Sequence, residues 1–476
     1  MHPVAAAMPR LTALAERESV RRVVDAFEAA GHEIALVGGP VRDALLDREV
    51  HDLDLTTSAR PEESAAILKP IASAMWDVGR AFGTVAVWVS GDAVEVTTYR
   101  KDAYVPSSRK PEVVFGDTLD GDLRRRDFTM NAIAVRLPSL TIVDPSDGIA
   151  AVLDRRLTTP SPAVESFDED PLRMLRAARF TSQLGFVLDD EGVRAMTALA
   201  ERIDVVSQER VREELVKLLS ADRPGAGLEL LVATGLADRV LPEVPALRLT
   251  RDGEHRHKDV YQHSLQVLQQ AIDLEHERFP GQAPDVVLRF AALLHDIGKP
   301  ATRRFEAGGL VTFHHHDIVG AKLARKRLKA LRFPNIEVDR IATLIELHQR
   351  FFGYGEGAWT DSAVRRYVRD AGELLPQLHL LTRADVTTRN ERKARRLASA
   401  YDDLEQRIAE LVDQEELDSI RPDLDGEAIM RELGLKPGPV VGAAYRFLLE
   451  TRMDEGPLGE EEAKRRLREW WASRST

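Results

Sequence analysis

The sequence predicts an α+β protein: a mixed α/β segment up to about residue 155, then a remainder that is all helix. Two observations predict it. Before residue 155, short apolar runs with strand-like alternation interleave with amphipathic helical stretches. After Pro162, apolar residues recur at helical spacing almost to the end of the chain. A third observation sets the scale: 476 residues, 43% of them hydrophobic, suffice for roughly three or four domains with ordinary cores.

The elements follow in order. Residues 18–30 form an amphipathic helix and residues 34–37 a buried strand. Gly38-Gly39-Pro40 then turns into a helix expected from Val41. Residues 84–89 and 93–99 alternate on either side of Ser90-Gly91-Asp92, the signature of a hairpin. Asp144-Pro145-Ser146-Asp147-Gly148 is turn chemistry with a structural role. Asp170-Pro171 opens a helix, with Asp170 expected at the N-cap and Pro171 at the first position. The expected segments are 1–155, 156–250, 251–395 and 396–476. Near the end, Lys464, Arg465, Arg466 and Arg468 suit a solvated helix face carrying two core tryptophans, Trp470 and Trp471.

Charge and composition exclude several classes. The net charge of −12, from 66 basic and 78 acidic residues, argues against a surface that binds nucleic acid all over. A local basic groove remains open, since Arg124, Arg125, Arg126, Arg173, Arg176 and Arg179 cluster in sequence. No apolar run approaches ~18 residues, so no membrane span is expected. The first twenty residues carry Arg and Glu too early for a secretory leader. The absence of cysteine rules out disulfides and thiolate metal sites and fits a cytoplasmic protein.

The chemistry concentrates in a few motifs. Gly38 and Gly39 let backbone N–H groups approach phosphate oxygens, ahead of Arg42. Asp52 and Asp54 stand at i and i+2, so on a strand they share one face and can share a pair of Mg²⁺ ions. Glu95, in the second strand of the hairpin, is a candidate third carboxylate or a solvent-facing residue. Arg124-Arg125-Arg126-Asp127 puts cations where a triphosphate needs neutralising, with Asp127 and Asn131 able to orient them or the sugar hydroxyls. The same run also suits a solvated basic turn. Arg173, Arg176 and Arg179 recur every three residues on one slowly rotating stripe, which equally suits an exposed helix laced with ion pairs. The glycine pair followed by the two carboxylates points to nucleotidyl transfer.

Five motifs, GGPVRD, HDLDLTT, RRDFTMNA, EDPLRMLRAARF and QERVREEL, occur in an order that resembles the class II tRNA nucleotidyltransferases. These are the bacterial CCA-adding enzymes and the related poly(A) polymerases. The resemblance covers roughly residues 30–220 and implies a polymerase-β-like nucleotidyltransferase head, a mixed sheet with helices, followed by helical neck, body and tail. It further implies that Asp52 and Asp54 hold the catalytic Mg²⁺ and that Gly39, Arg42 and Arg126 contact the incoming triphosphate. Asp170 and Arg173 are then expected to read the base, supported by Arg176 and Arg179. Pro40 stands where Ala, Cys or Ser is commoner in the family; the backbone acts there, so the change is neutral.

Base selection has a physical rationale of its own. A carboxylate only accepts hydrogen bonds and an arginine only donates them. Cytosine and adenine both present an exocyclic amine beside a ring-nitrogen acceptor, so one Asp/Arg pair satisfies either. Uracil and guanine reverse the pattern, at about 1–3 kcal/mol per buried group left unpaired.

Downstream, His263, Leu293-Leu294-His295-Asp296-Ile297-Gly298-Lys299, His316, His348 and Asp385 resemble an HD-family phosphohydrolase over residues 255–390. Imidazole and carboxylate donors without thiolates suit Mn²⁺, Ni²⁺ or Co²⁺. His255, His257, His314 and His315 are weaker candidates, with His257 or His314 open to being neighbours rather than ligands. The resemblance implies hydrolysis of phosphate esters, with 2′,3′-cyclic phosphates on RNA ends as one substrate class.

The expected activity is therefore addition of CCA to the tRNA 3′ end from CTP and ATP without a template, contacting the acceptor stem and TΨC region, by a monomer or homodimer. Poly(A) polymerase and A-only addition are the close alternatives, set apart by the neck and by a loop expected within residues 104–115. An alternative of another class is an HD phosphohydrolase whose head merely binds nucleotide.

Overall fold

The computed structural model describes residues 3–50, 52–76, 83–102, 113–116, 118–248, 259–306, 311–353, 359–387, 390–415 and 421–474. Most of the loop expected within residues 104–115, together with His255 and His257, lies outside the described residues. The chain divides into two compact units, Met1–Val240 and Leu241–Thr476.

The first unit opens with helices α1 (Pro3–Glu16) and α2 (Glu18–Ala29), then strand β1 (Ile34–Val37), α3 (Gly39–Leu45), β2 (Leu53–Thr57) and α4 (Pro61–Leu68). The strands β3 (Ala74–Trp76), β4 (Thr84–Val89) and β5 (Asp92–Thr98) follow, then a two-stranded ribbon of β6 (Arg100–Asp102) and β7 (Val113–Phe115). After α5 (Leu119–Arg124) come β8 (Ala134–Leu137), β9 (Thr141–Val143) and α6 (Gly148–Leu153). Seven strands form one mixed sheet in the order β3-β4-β5-β2-β1-β8-β9, in which only β2 and β5 run parallel. The expected hairpin is β4–β5, turning through Ser90 (φ 47°) and Gly91 (φ 92°).

Alternation decides which sheet face is open. Val85, Val87 and Val89 of β4 and Val94 and Val96 of β5 are buried, on the face where α2 and α4 pack. Their neighbours point the other way. On that face Trp76, Trp88, Ala93, Glu95 and Asp52 are exposed, while Thr56 further along β2 is buried. Asp144 accepts from the N–H groups of Gly148 (2.7 Å) and Ile149 (2.9 Å), as expected of a structural turn.

Helices α7 (Ala163–Glu169), α8 (Leu172–Leu184), α9 (Asp190–Leu199), α10 (Gln208–Leu219), α11 (Gly225–Ala233) and α12 (Leu236–Val240) complete the unit, with α8 packed on α10 and α11. Helix α8 begins one residue later than expected. Pro171 nonetheless has helical dihedrals, and the extended Asp170 caps the turn as expected, its side chain accepting from the N–H of Leu172 at 3.2 Å.

The second unit is helical apart from one short strand pair: α13 (Val260–Arg278), α14 (Val286–Leu294), α15 (Lys299–Thr302), α16 (His316–Ala330), α17 (Asn335–Leu347), α18 (Asp361–Ala371), α19 (Leu375–Ala384) and α20 (Glu391–Glu415). Its last helices, α21 (Gly426–Leu433), α22 (Pro439–Glu455) and α23 (Glu460–Arg474), close around Leu424, Ile429, Ala444, Leu448, Ala463 and Leu467. Trp470 packs against that cluster and stacks on Phe447, with ring centroids 5.4 Å apart. Lys464, Arg465 and Arg466 pair with glutamates along the same helix. Among the described residues, no helix is long and apolar enough to cross a membrane.

Candidate active site and metal centre

The first site is built on β1, β2 and β5. Gly38 leaves β1 with φ +73°, a conformation that L side chains rarely adopt. A Cβ there would also lie 3.2 Å from Nη1 of Arg126 and 3.7 Å from the Asn131 carbonyl. The chain then enters α3 at Gly39 rather than Val41. Pro40 has no N–H to leave unpaired, and the first-turn N–H groups of Gly39 and Val41 have no carbonyl within the helix.

Asp54 faces Glu95 across the parallel pair β2–β5, in direct register. Asp52 is two residues back on the same face. Burial pushes the Asp54 carboxyl up to about 6, and the negative charges of Glu95 and Asp52 add to it against Arg126 and Arg42. A divalent cation bound beside these three carboxylates would offset the like charge that raises Asp54. Three oxygen donors without imidazole suit a hard ion. Glu95 is thus placed with the two aspartates through strand register, which sequence spacing does not reveal.

The cations around this face are held by other side chains. Arg42 donates to Asn131 Oδ1 (2.8 Å) and with its other edge to both oxygens of Asp43 (2.9 Å each). Arg125 and Arg126 both reach Asp122, at 2.7 and 3.1 Å. Burial works against the Asp122 charge, but the two guanidinium groups outweigh it and hold its pKa below the ordinary value. Asp127 accepts from Asn131 (3.0 Å), from the N–H of Phe128 (2.8 Å) and from Arg176 Nε (2.7 Å). Burial opposes that charge too, and Arg176 with Asn131 overcomes it, bringing Asp127 to about 2. Asp122 was not singled out by sequence; its position one turn before the three arginines is the signal that could have found it.

Helix α8 brings its arginines to the same region with distinct partners. Arg173 donates to Ser166 Oγ (2.9 Å), Glu169 (3.2 Å) and the Arg125 carbonyl (2.8 Å). Asp170 lies on the same turn and pairs with Arg210 at 3.4 Å. Arg176 pairs with Asp127, whereas Arg179 faces Glu214 at 2.9 Å, at an angle too bent for a hydrogen bond. Burial lowers Arg179 to about 10 despite Glu214. The Phe180 ring collects three guanidinium groups, Arg179 at 4.2 Å, Arg42 at 5.5 Å and Arg176 at 5.7 Å from its centroid. Glu214 and Phe180 are functional neighbours that charge spacing alone did not find.

The second unit gathers the histidines. His263 on α13, His295 and Asp296 at the end of α14, His316 opening α16, His348 ending α17 and Asp385 ending α19 converge. Their donor atoms form two sets, His263 with His295 and Asp385, and Asp296 with His316 and His348. Asp385 Oδ1 lies 2.9 Å from His263 Nε2, and Asp296 reaches the Nε2 atoms of both His295 and His316 at 3.2 Å. The Nδ1 atoms of His295, His316 and His348 each bond a carbonyl three residues back, at 2.9, 2.8 and 2.6 Å. A carbonyl only accepts, so Nδ1 carries a proton and Nε2 turns toward the centre. There the Gln349 amide nitrogen meets His316 Nε2 at 2.9 Å, and burial opposes a charge on His295 but Asp296 outweighs it and raises its pKa. Burial lowers His348 to about 4, keeping it neutral, as a metal ligand must be. Burial opposes the charges of Asp385 and Asp296, yet the histidines hold Asp385 at about 2 and Asp296 well below its ordinary value. The donor set therefore fits one or two divalent ions of the borderline type. Lys299 Nζ, at 2.5 Å from Asp296 Oδ2, adds a cation that sequence did not single out. His314 and His315 are exposed and stand outside both sets.

Residues 34–158 match the family described as the poly A polymerase head domain, 185–247 the probable RNA and SrmB-binding site of polymerase A, and 260–390 the HD domain. The chain is 35% identical over 448 residues to the A-adding tRNA nucleotidyltransferase of Deinococcus radiodurans, covering 92% of this chain and 95% of that one. The chain belongs to the tRNA nucleotidyltransferase family. Within that family it is also 41% identical over 222 residues to a CCA-adding enzyme of Levilactobacillus brevis, a match spanning 46% of this chain and 55% of the relative. The Bacillus stearothermophilus CCA-adding enzyme, solved in complex with CTP, aligns with a TM-score of 0.68 and 27% identity over 96% of this chain and 98% of its own. A Thermotoga maritima CCA-adding enzyme complexed with tRNA shares the fold at 17% identity and a TM-score of 0.59. The nucleotidyltransferase head and the HD domain both imply use of divalent metal, and in the HD domain two groups of side chains could hold it.

Proposed function

We propose that this nucleotidyltransferase adds CCA to the 3′ end of tRNA, taking CTP and ATP in turn and releasing pyrophosphate. The observation that carries the reading is the Asp54–Glu95 register with Asp52 beside it, next to the Gly38 turn and its arginines. Asp52 and Asp54, with Glu95, would hold Mg²⁺. Mg²⁺ held there would supply charge neutralisation at the reacting phosphate and a lower pKa for the attacking 3′-hydroxyl. Gly38 and Gly39 offer close backbone approach to the outer phosphates, and Arg42 and Arg126 balance their charge. Asp170 and Arg173 select the base by the donor–acceptor logic given above, braced by Arg176, Arg179 and Asp127. The cysteine-free composition supports work in a reducing, cytoplasmic setting.

One observation favours a narrower reading. The relative matched over 95% of its length is named an A-adding tRNA nucleotidyltransferase. Purified protein incubated with tRNA transcripts ending at the discriminator base, or at CC, decides between them when CTP and ATP are supplied singly and together. Labelled CTP entering the first transcript supports CCA addition; ATP entering only the second supports A addition.

The HD centre supports a second activity, hydrolysis of phosphate esters such as 2′,3′-cyclic nucleotides with Mn²⁺, Ni²⁺ or Co²⁺. Release of 2′- or 3′-monophosphate by wild-type protein tests it directly. Absence of product with each of these metals overturns it.

A further inference from the structure

Two of the five tryptophans, Trp76 and Trp88, are exposed on the open face of the sheet that carries the carboxylates. They are 43% and 42% exposed, unusual for the largest apolar side chain. Strand register fixes where they stand. Asp54 pairs with Glu95, Glu95 with Ala86, and Ala86 with Trp76, so one row across four strands runs from the carboxylates to Trp76. The next row on that face holds Ala93, Trp88 and Ala74. Trp76 and Trp88 are thus diagonal neighbours, and Trp88 is in turn diagonal to Glu95, while Ala86 and Ala93 leave room above the sheet between them. With strands ~4.8 Å apart, Trp76 stands roughly 14 Å from Asp54.

The side on which they lie is informative. The Gly38 turn, Arg42 and Arg126 gather on the β1 side of β2, and that is where a triphosphate's outer phosphates are neutralised. In an in-line displacement, the attacking oxygen and the leaving pyrophosphate stand on opposite sides of the reacting phosphorus. The acceptor's 3′-hydroxyl therefore arrives from the β5 side, and the nucleotides behind it pass over β5, β4 and β3. Flat aromatic faces there suit unpaired bases of any identity, since every base has a π-face to stack.

We propose that Trp76 and Trp88 form a stacking platform for the single-stranded 3′ end of the RNA acceptor. The proposal rests on the assignment of Asp52, Asp54 and Glu95 as the reacting centre. It predicts a sequence-tolerant grip on the acceptor that leaves nucleotide selection to α8.

The test uses the full chain, W76A, W88A, the double variant and W88F, with a tRNA transcript and a short single-stranded RNA matching its 3′ end. Stacking contributes about 1–3 kcal/mol per base, so the double variant should raise the acceptor KM by about tenfold or more. The ATP KM and kcat should stay within twofold, and W88F should recover most of the loss left by W88A. The short RNA should quench tryptophan emission in wild type and in Asp54→Ala but not in the double variant. An unchanged acceptor KM with quenching retained in the double variant overturns the proposal. So does an unchanged acceptor KM accompanied by a dimer-to-monomer shift in sedimentation, which assigns the face to a second copy of the chain. If wild type incorporates no nucleotide yet loses quenching in the double variant, the reacting-centre assignment fails and the platform stands. Normal incorporation with no effect of the tryptophans does the reverse: the reacting centre stands and the platform fails.

Discussion

At the scale of single residues, Asp54 shows how function and stability oppose each other. Its carboxyl is raised from 3.8 to about 6, so between those values the folded chain holds its proton more tightly than the unfolded chain. This group therefore lowers the stability of metal-free protein as pH rises through that window, and the cost persists above it. Asp54→Asn should stabilise the metal-free protein at pH 8 by on the order of 1 kcal/mol, allowing for partial exposure of the site, with no gain at pH 3.5. Thermal unfolding in EDTA at the two pH values checks it, and added Mg²⁺ should narrow the difference by stabilising wild type alone. The same variant should abolish nucleotide addition. Equal melting curves at pH 8 would show that the three carboxylates do not strain the fold. Arg173 makes a different residue-scale prediction. Arg173→Ala should weaken discrimination against UTP and GTP more than it weakens triphosphate affinity, read from single-turnover incorporation of all four nucleotides. Because its guanidinium also bridges Ser166, Glu169 and the Arg125 carbonyl, a uniform loss of affinity for every triphosphate would assign it to scaffolding instead.

At the scale of elements, the HD centre depends on how closely two segments approach. A Cβ on Gly298 would lie 2.0 Å from the His316 carbonyl oxygen and 2.7 Å from the Gly320 N, both backbone atoms that cannot move aside alone. Gly298→Ala should force the start of α15 away from α16, costing about 3 kcal/mol and separating Asp296 from His316. Mn²⁺ binding by calorimetry should fall with it, while a variant that binds Mn²⁺ normally would mean that the backbone accommodates the methyl group. Such packing explains what was legible in the chain and what was not. His295-Asp296 and Asp52/Asp54 were legible because their donors are local, one or two residues apart on a recognisable strand or helix end. The remaining HD candidates, His263, His316, His348 and Asp385, were reached through the resemblance that fixes their order, and folding brings them together. Glu95 remained ambiguous since its partner lies on a parallel strand about forty residues away, and pairing at that distance leaves no local periodicity. Asp122 and Glu214 were missed for a related reason: a lone carboxylate acquires meaning only when folding places arginines against it. Asp170 keeps the capping role the sequence suggests, since its extended backbone leads into Pro171, which has helical dihedrals, and its side chain bonds the N–H of Leu172; the regular helix is counted from Leu172 only by a one-residue difference at the frayed end.

At the scale of the whole molecule, the second unit gathers imidazole and carboxylate donors that could hold a metal, and the first unit carries the proposed carboxylate site of Asp52, Asp54 and Glu95. The carboxylates of the first unit suit Mg²⁺, and the imidazoles of the second suit Mn²⁺, Ni²⁺ or Co²⁺. The two candidate sets have no residue in common, and three of the histidines are oriented by hydrogen bonds from their own unit, to the carbonyls of Ala292, Phe313 and Ile345. The two activities should therefore separate genetically. His295→Ala combined with Asp296→Ala should remove hydrolysis of 2′,3′-cyclic nucleotides and leave nucleotide addition within about threefold of wild type. Removing Asp296 also leaves Lys299 without its anionic partner in a half-buried setting, so circular dichroism and the unfolding midpoint of the double variant must be read alongside both activities. A folded variant that loses both activities would make the HD helices a support on which the head depends. A folded variant that keeps addition but has lost the Mn²⁺ bound by wild type locates the second metal at these six side chains, whatever ester proves to be its substrate.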